Sequence, residues 1–328
     1  MSATTGLVLV TGASGFIGGC LLRRLAADGI AVRATSRRRP ADLPEGVAFV
    51  AADLADPTAL APLVAGISVV IHVAGQLGGA EVSDDTLRAV NAEAPVALLR
   101  AAAAAGVGRF VHVSSVGVLG ETGSSPASED APAQPVSVYE RTKWIGEQEV
   151  LAEGCRTGVP VIVLRPALVY GPGDAHLLSL FRAVGGPVFP LIAGGRALTH
   201  PVHVEDVADA LVCAARLEPA PVGVFHVAGP RPVSFRELIS AMASALGRNP
   251  PRLSLPRPLA FAAACLMEAA FRPVGRTPPL TRERVRLFCT SRAFKIDRIR
   301  ETMGWTPRIG LEEGILATTR WYRDHGWL

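Results

Sequence analysis

A phenol, an ammonium group and a pair of hydroxyls carry the chemistry this sequence offers. In Val138-Tyr139-Glu140-Arg141-Thr142-Lys143 the Tyr and the Lys stand four residues apart, so on a helix they share one face. The chain has 31 Arg but only two Lys, Lys143 and Lys295, and only three Tyr. Where Arg is the default base, a Lys at this distance from a Tyr is more than the solvent-facing i, i+4 pair that is the competing reading. A phenol with a pKa of about 10 is a poor base at neutral pH, and a neighbouring cation favours its ionised form. The pair therefore suits proton transfer to or from an oxygen. Ser114-Ser115 lies upstream, with Ser115 24 residues before Tyr139.

These groups need a frame, and the frame starts at Val8-Leu9-Val10-Thr11-Gly12-Ala13-Ser14-Gly15-Phe16-Ile17-Gly18. A short apolar run meets three glycines spaced three apart and then a helix-compatible stretch. Gly12 permits a tight turn, Gly15 lets backbone N–H groups approach a diphosphate, and Gly18 lets the helix pack close on the strand. Further strands read at Ile30–Thr35, Val47–Ala51, Val69–Gly75, Phe110–Ser115 and from Val161. Helices read at Phe16–Ala27 and Thr86–Ala105. Val69 to Gly75 is a continuous apolar strand ending in small residues, as for a strand buried on both faces whose C-terminal end opens onto a ligand. Strands alternating with helices predict an α/β protein with a doubly wound parallel sheet, a Rossmann fold. Glu121 to Pro135 reads as a loop crossing near the strand ends.

The end of the second strand bears on the cofactor. A carboxylate there would accept from a ribose 2′-hydroxyl, whereas Ser36-Arg37-Arg38-Arg39 offers guanidinium groups suited to a 2′-phosphate. NADP(H) is the expected cofactor, with NAD(H) the alternative, and Arg37 is the best placed residue. A solvated Arg cluster is the competing reading. Asp53-Leu54, just past the third strand, is placed to touch the adenine.

Composition excludes several classes. With 328 residues, 49% hydrophobic, and no charge-rich or low-complexity tract, the chain is globular. A net charge of +4 does not call for nucleic acid. No apolar run approaches the ~20 residues that cross a bilayer, and the N-terminus leads directly into a strand. The five Cys (Cys20, Cys155, Cys213, Cys265, Cys289) are scattered with no CxxC, against a metal site and for a reducing, cytoplasmic setting.

Together Thr11 to Gly18, Asp53-Leu54, Ser114-Ser115 and Tyr139 to Lys143 resemble the extended short-chain dehydrogenase/reductase superfamily over nearly the whole chain. The resemblance implies that Ser115 polarises a carbonyl, that Tyr139 is general acid or base, and that Lys143 binds the nicotinamide ribose and lowers the Tyr pKa. It also implies cofactor contacts from Gly12, Ser14, Gly15, Phe16, Ile17, Gly18, Arg37, Asp53, Leu54, Val73, Ala74, Gly75, Asn91, Val113, Ser114, Tyr139, Lys143, Pro166, Leu168 and Val169. Residues 1–172 would form the NADP-binding domain. Residues 173–328 would be mainly a smaller substrate-binding region, with some segments returning to the sheet.

Two departures bear on substrate. Family members that act on nucleotide sugars commonly carry an Asn where this chain has Leu168, and a diphosphate-clamping Arg where it has Thr199, although Arg196 is close by. Leu164-Arg165-Pro166 with Val169-Tyr170-Gly171-Pro172-Gly173-Asp174 looks instead like the 3β-hydroxysteroid dehydrogenase and sterol-4α-carboxylate 3-dehydrogenase branch. So do Pro278-Pro279-Leu280-Thr281, Phe294-Lys295-Ile296-Asp297, Gly304-Trp305-Thr306-Pro307 and Leu311-Glu312-Glu313-Gly314. Val32-Arg33-Ala34-Thr35-Ser36-Arg37 resembles the dihydroflavonol reductases. The expected reaction interconverts a secondary alcohol and a ketone on a small hydrophobic, steroid-like substrate. A nucleotide-sugar epimerase or dehydratase and a non-catalytic NADP-binding sensor are the alternatives. His203, in Val202-His203-Val204-Glu205-Asp206, reads as structural, and Asp206 suits the start of a helix.

Three further features stay open. The apolar stretch Leu259–Phe271, flanked by Pro256, Pro258 and Pro273, could cover a substrate, rest on a bilayer as a peripheral contact, or form a core helix. The eight Arg between Arg272 and Arg300 read as a solvated face, with an anionic group or a membrane surface as the functional options. The Ala-rich Asp84–Ala105 helix offers a face for a homodimer.

Overall fold

The computed structural model describes residues 6–79, 82–123, 125–272, 278 and 280–328. Pro273, Arg276 and Pro279, on which parts of the reading above draw, lie outside them. The first half alternates strands and helices: β1 (Leu7–Thr11), α1 (Phe16–Ala27), β2 (Val32–Ser36), β3 (Ala48–Ala51), α2 (Pro57–Val64), β4 (Ile67–His72), α3 (Asp84–Arg88), α4 (Ala94–Ala104), β5 (Arg109–Val113), α5 (Val138–Thr157) and β6 (Val161–Pro166). Short strands β7 (Leu168–Tyr170), β8 (Leu191–Ile192), β9 (Leu198–Thr199) and β10 (Pro201–His203) follow, with α6 (Leu178–Val184) among them. Then come α7 (Val204–Arg216), β11 (Gly223–Val227), β12 (Val233–Ser234), α8 (Phe235–Ala245), β13 (Ser254–Leu255), α9 (Arg257–Phe271), α10 (Arg282–Cys289), α11 (Asp297–Met303) and α12 (Leu311–Asp324).

Seven strands form one parallel sheet in the order β11-β6-β5-β4-β1-β2-β3. The fold is therefore the doubly wound Rossmann arrangement. The central strands are runs of Val, Ile and Leu because both faces are covered. On one side Val8, Val10, Ile71, Val111 and Leu164 meet α1 and α7; on the other Leu9, Val70, Phe110 and Val163 meet α2, α4 and α5. Strand order reverses between β1 and β4, and in such sheets the crevice outside the strand C-termini at that point takes the ligand. A smaller core of Tyr170, Phe181, Leu238, Met242 and Tyr322 gathers α6, α8 and α12 beside the sheet.

One helix expected from the sequence is three pieces. Between α3 and α4 the chain makes a π-turn over Ala89–Glu93, closed by the Ala94 N–H donating to the Ala89 carbonyl. Pro95 is the reason: it has no N–H to give the Asn91 carbonyl, so the α-helical ladder breaks there. Gly146 of α5 fits against that released carbonyl, onto which a Cβ would fall.

Candidate active site

The glycine turn lies at the C-terminal end of β1. Gly12 has φ +70°, and a Cβ on it would stand 2.7 Å from the Ala74 nitrogen. A Cβ on Gly15 would stand 3.2 Å from the Gly12 carbonyl oxygen, and one on Gly18 would fall onto that oxygen. The floor of the turn therefore has room for backbone only. Gly15 caps α1 without any side-chain hydrogen bond, and the first turn carries no acid. The helix start thus keeps its positive end for an anion, and the cradle fits the diphosphate of a dinucleotide.

Neighbouring strand ends complete the crevice. After β4, Ala74 N–H donates to Thr11 Oγ1 at 3.2 Å, and exposed Gly75 follows. Arg37 is exposed just beyond β2, and Arg39 lies 5.6 Å above the Phe49 ring. Arg33, inside β2, is turned to structural use, donating to the carbonyls of Leu63 and Ala65. Asp53 accepts from Ala55 N–H at 3.0 Å and shapes the turn after β3, while half-buried Leu54 packs on the sheet.

Tyr139 and Lys143 occupy the first two turns of α5. Ser137 starts that helix with a capping box, its hydroxyl accepting from Glu140 N–H while Glu140 accepts from Ser137 N–H. The Ser115 hydroxyl accepts from Gly117 N–H at 3.0 Å and stands near enough to the Tyr139 phenol to favour its ionised form. Lys143 Nζ is buried and donates to the Val113 carbonyl at 2.7 Å; a Cβ on Gly75 would stand 3.9 Å from that Nζ. Ser114 Oγ is buried with no hydrogen-bond partner among the described residues. The ends of β4 and β5 and the face of α5 thus meet at one place.

The electrostatics of the cluster are set by burial. It pushes the Tyr139 phenol above its ordinary value; the nearby Ser115 hydroxyl opposes that, and the Glu140 charge adds to it. Burial also pulls the Lys143 ammonium down to about 8, opposed by the Glu147 carboxylate. The Lys143 ammonium is held at the C-terminal end of β5 by its bond to the Val113 carbonyl.

Several supporting residues escaped the sequence reading. Arg165, buried in β6, donates from Nε and Nη2 to Glu147 of α5 at 2.9 and 2.5 Å. Its Nη1 reaches the Glu129 carbonyl, and the Glu129 carboxylate accepts from His226 N–H in β11. The loop Glu121–Pro135 is thereby held across the strand ends. Arg292 reaches Glu140 Oε1 at 3.0 Å, tying the C-terminal half to the residue beside Tyr139. Removing it as Arg292→Ala should lower kcat/KM about tenfold without abolishing turnover, since Glu140 keeps its capping bonds. Unaltered kinetics would strip the pair of that role.

Other predicted positions serve the frame. The Asn91 amide accepts from Gln76 N–H at 2.8 Å and donates to the Gln76 carbonyl and Thr142 Oγ1, so it clamps the loop after β4 to α5. His203 caps α7, accepting from Glu205 N–H at 3.4 Å, and Asp206 accepts from the backbone N–H groups of Arg308 and Ile309. Pro166 ends β6, and Leu168 and Val169 lie in β7, half-buried. Thr199 is buried and paired with Val233 in a two-stranded ribbon. Among the described residues no group of three or more His, Cys, Asp or Glu could hold a metal ion.

A backbone cradle for a diphosphate next to half-buried Ser115 and Tyr139 and buried Lys143 defines the class of nicotinamide-dependent oxidoreductases. The model of the NAD dependent epimerase/dehydratase family matches residues 8–229. A ceramide reductase from Caulobacter vibrioides is 32% identical, the alignment covering 98% of this chain and 96% of that protein. A UDP-glucose 4-epimerase from Mycolicibacterium smegmatis is also 32% identical, over 96% of this chain and 98% of that protein. The crystal structure of gox2253 superposes with a TM-score of 0.81 at 27% identity, covering 99% of this chain and all (100%) of that one. The chain belongs to the NAD-dependent epimerase/dehydratase family, the extended short-chain dehydrogenases/reductases, and is an NAD(P)-dependent oxidoreductase.

Proposed function

We infer that the protein interconverts a secondary alcohol and a ketone on a small hydrophobic substrate, using NADP(H) in preference to NAD(H). The observation that carries this is the gathering of the Ser115 hydroxyl, the Tyr139 phenol and, one helical turn on, the Lys143 ammonium at the ends of β4 and β5. When bound, the nicotinamide supplies or receives the hydride. In reduction, Ser115 and Tyr139 donate to the substrate oxygen as negative charge develops on it, and Tyr139 gives it a proton. Burial keeps the phenol protonated at neutral pH, the form that this direction needs. Lys143, anchored on Val113, takes the ribose hydroxyls and holds positive charge near the phenol. In this reading the glycine turn, Arg37, Gly75 and the Ser115, Tyr139 and Lys143 cluster line the crevice, and Asn91, Asp53 and Leu54 support it from behind.

An apolar substrate is supported by Leu168 and Thr199, which give a sugar diphosphate no charged partner, and by the likeness to the ceramide reductase. The epimerase likeness keeps a nucleotide sugar as the competing substrate. NADPH oxidation should be followed against 3-keto steroids, long-chain and aromatic ketones and aldehydes, with UDP- and dTDP-sugars assayed in parallel for conversion. Turnover of an apolar ketone supports the proposal. Conversion of a nucleotide sugar without net cofactor consumption overturns it, and no turnover by any compound would favour a non-catalytic sensor.

For the cofactor, Arg37→Asp should weaken NADPH binding about a hundredfold and NADH binding less than tenfold, read by fluorescence titration. Equal weakening would remove the 2′-phosphate from Arg37. A homodimer belongs to the same proposal, with α4 and α5 side by side as the surface, and light scattering reads it. No helix of the described residues is long and apolar enough to cross a membrane.

A further inference from the structure

The helix α9 is inverted relative to an ordinary surface helix. Of its fifteen residues only Ala260 and Ala264 are buried, and they rest on Ile192 and Val285. The core-helix reading of Leu259–Phe271 therefore fails. Leu259, Ala262, Leu266, Ala269 and Ala270 recur at helical spacing on the outward face, with Leu259 58% and Leu266 72% exposed. On the adjacent α10, Leu287 is a further exposed apolar side chain, at 46%. Contiguous exposure of this kind marks an interaction site.

The charge around the patch identifies the partner. Residues 251–290 hold seven Arg and two Glu. Of the two acids, Glu268 is engaged by Arg282, which donates to it from both backbone and side chain. Arg257 and Arg272 are exposed at the two ends of α9, Arg252 is exposed in the segment that leads into it, and Arg286 is exposed on the α10 helix that packs against it. A second copy docked face to face by a two-fold axis would set this Arg rim against itself. A small substrate would not cover a stripe that runs about 16 Å from Leu259 to Ala270. An apolar face rimmed by Arg is the pattern that lies in the headgroup layer of an anionic bilayer, Leu in the acyl boundary and guanidinium groups at the phosphates.

We propose that the outer face of α9 with its Arg rim docks the protein on an anionic lipid surface. The patch is close to the site by chain length alone. Leu287 is five residues from Arg292, a span of at most about 18 Å, and Arg292 is bonded to Glu140 beside Tyr139. A docked molecule therefore sets the crevice near the lipid in which an apolar ketone dissolves. That delivery role rests on the alcohol/ketone reading of the site, whereas docking does not, and vesicle binding is measured without turnover.

The test is co-sedimentation of the full chain with phosphatidylcholine vesicles and with vesicles containing phosphatidylglycerol, at low and high salt. Binding to the anionic vesicles that weakens with salt is expected, and Leu266→Asp and Leu259→Asp should each weaken it about tenfold or more. Both positions are exposed, so folding is preserved, and Val222→Asp at an exposed site elsewhere should change nothing. Absence of binding, or binding indifferent to both Leu variants, overturns the proposal. So does dimerisation that Leu266→Asp abolishes, which would assign the face to a second copy. Vesicle binding with no apolar ketone turned over would keep the docking surface and remove only the delivery role.

Discussion

Tyr139→Phe should lower kcat for ketone reduction by about 10³ to 10⁴ while leaving the Kd for the cofactor within about threefold. Loss of the phenol removes both a donor to the developing alkoxide and the proton that ends the step. The ring itself stays, so the packing around α5 changes little. The wild-type pH profile supplies a second reading. Lys143 carries its charge below about pH 8 and loses it above, because burial disfavours the ammonium. Reduction should therefore fall as pH rises through about 8, with no corresponding acid limb from this residue. Lys143→Met should flatten that limb at a much lower plateau. A Tyr139→Phe enzyme retaining a tenth of its turnover would exclude Tyr139 as the proton donor.

The second large effect is on stability. Arg165 and Glu147 form an ion pair with side-chain exposures of 4% and 0%. Removing one partner leaves the other charge buried, so Arg165→Met should cost about 3–5 kcal/mol, read as a lower urea midpoint at unchanged slope. Arg165→Met combined with Glu147→Met should regain most of the loss, since two apolar side chains replace a desolvated pair. Equal destabilisation in the single and double variants would locate the effect elsewhere, in the lost bond from Arg165 to the Glu129 carbonyl.

What the sequence made legible follows from locality. The glycine turn, the apolar strands and the i, i+4 Tyr–Lys pair are short-range patterns, each set by steric or helical geometry within a few residues. The π-turn was legible in principle, because Pro95 stands inside the expected Thr86–Ala105 helix and lacks the N–H that Asn91 would need. Arg292 with Glu140 was not, since 152 residues separate them. The same holds for Glu129 with His226 and for Asp206 with the 308–309 backbone. A buried carboxylate that accepts from backbone N–H groups leaves no periodic trace. The inversion of α9 was hidden for a related reason: an apolar run reads the same whether its face is covered or open.

The return of β11 to the sheet has a consequence for how the chain is made. Until Gly223–Val227 is available, β6 is the sheet's terminal strand, and Val161-Ile162-Val163-Leu164 presents a row of unpaired backbone groups along an apolar ribbon. Such an edge recruits strands from other molecules. During synthesis about sixty residues must follow β6 before its native neighbour is available to cover it. A chain cut near Pro172 would keep the glycine turn and the Tyr–Lys pair yet expose that ribbon permanently, and it would be lost to aggregation. The later half of the protein is in this sense an internal chaperone for the earlier one.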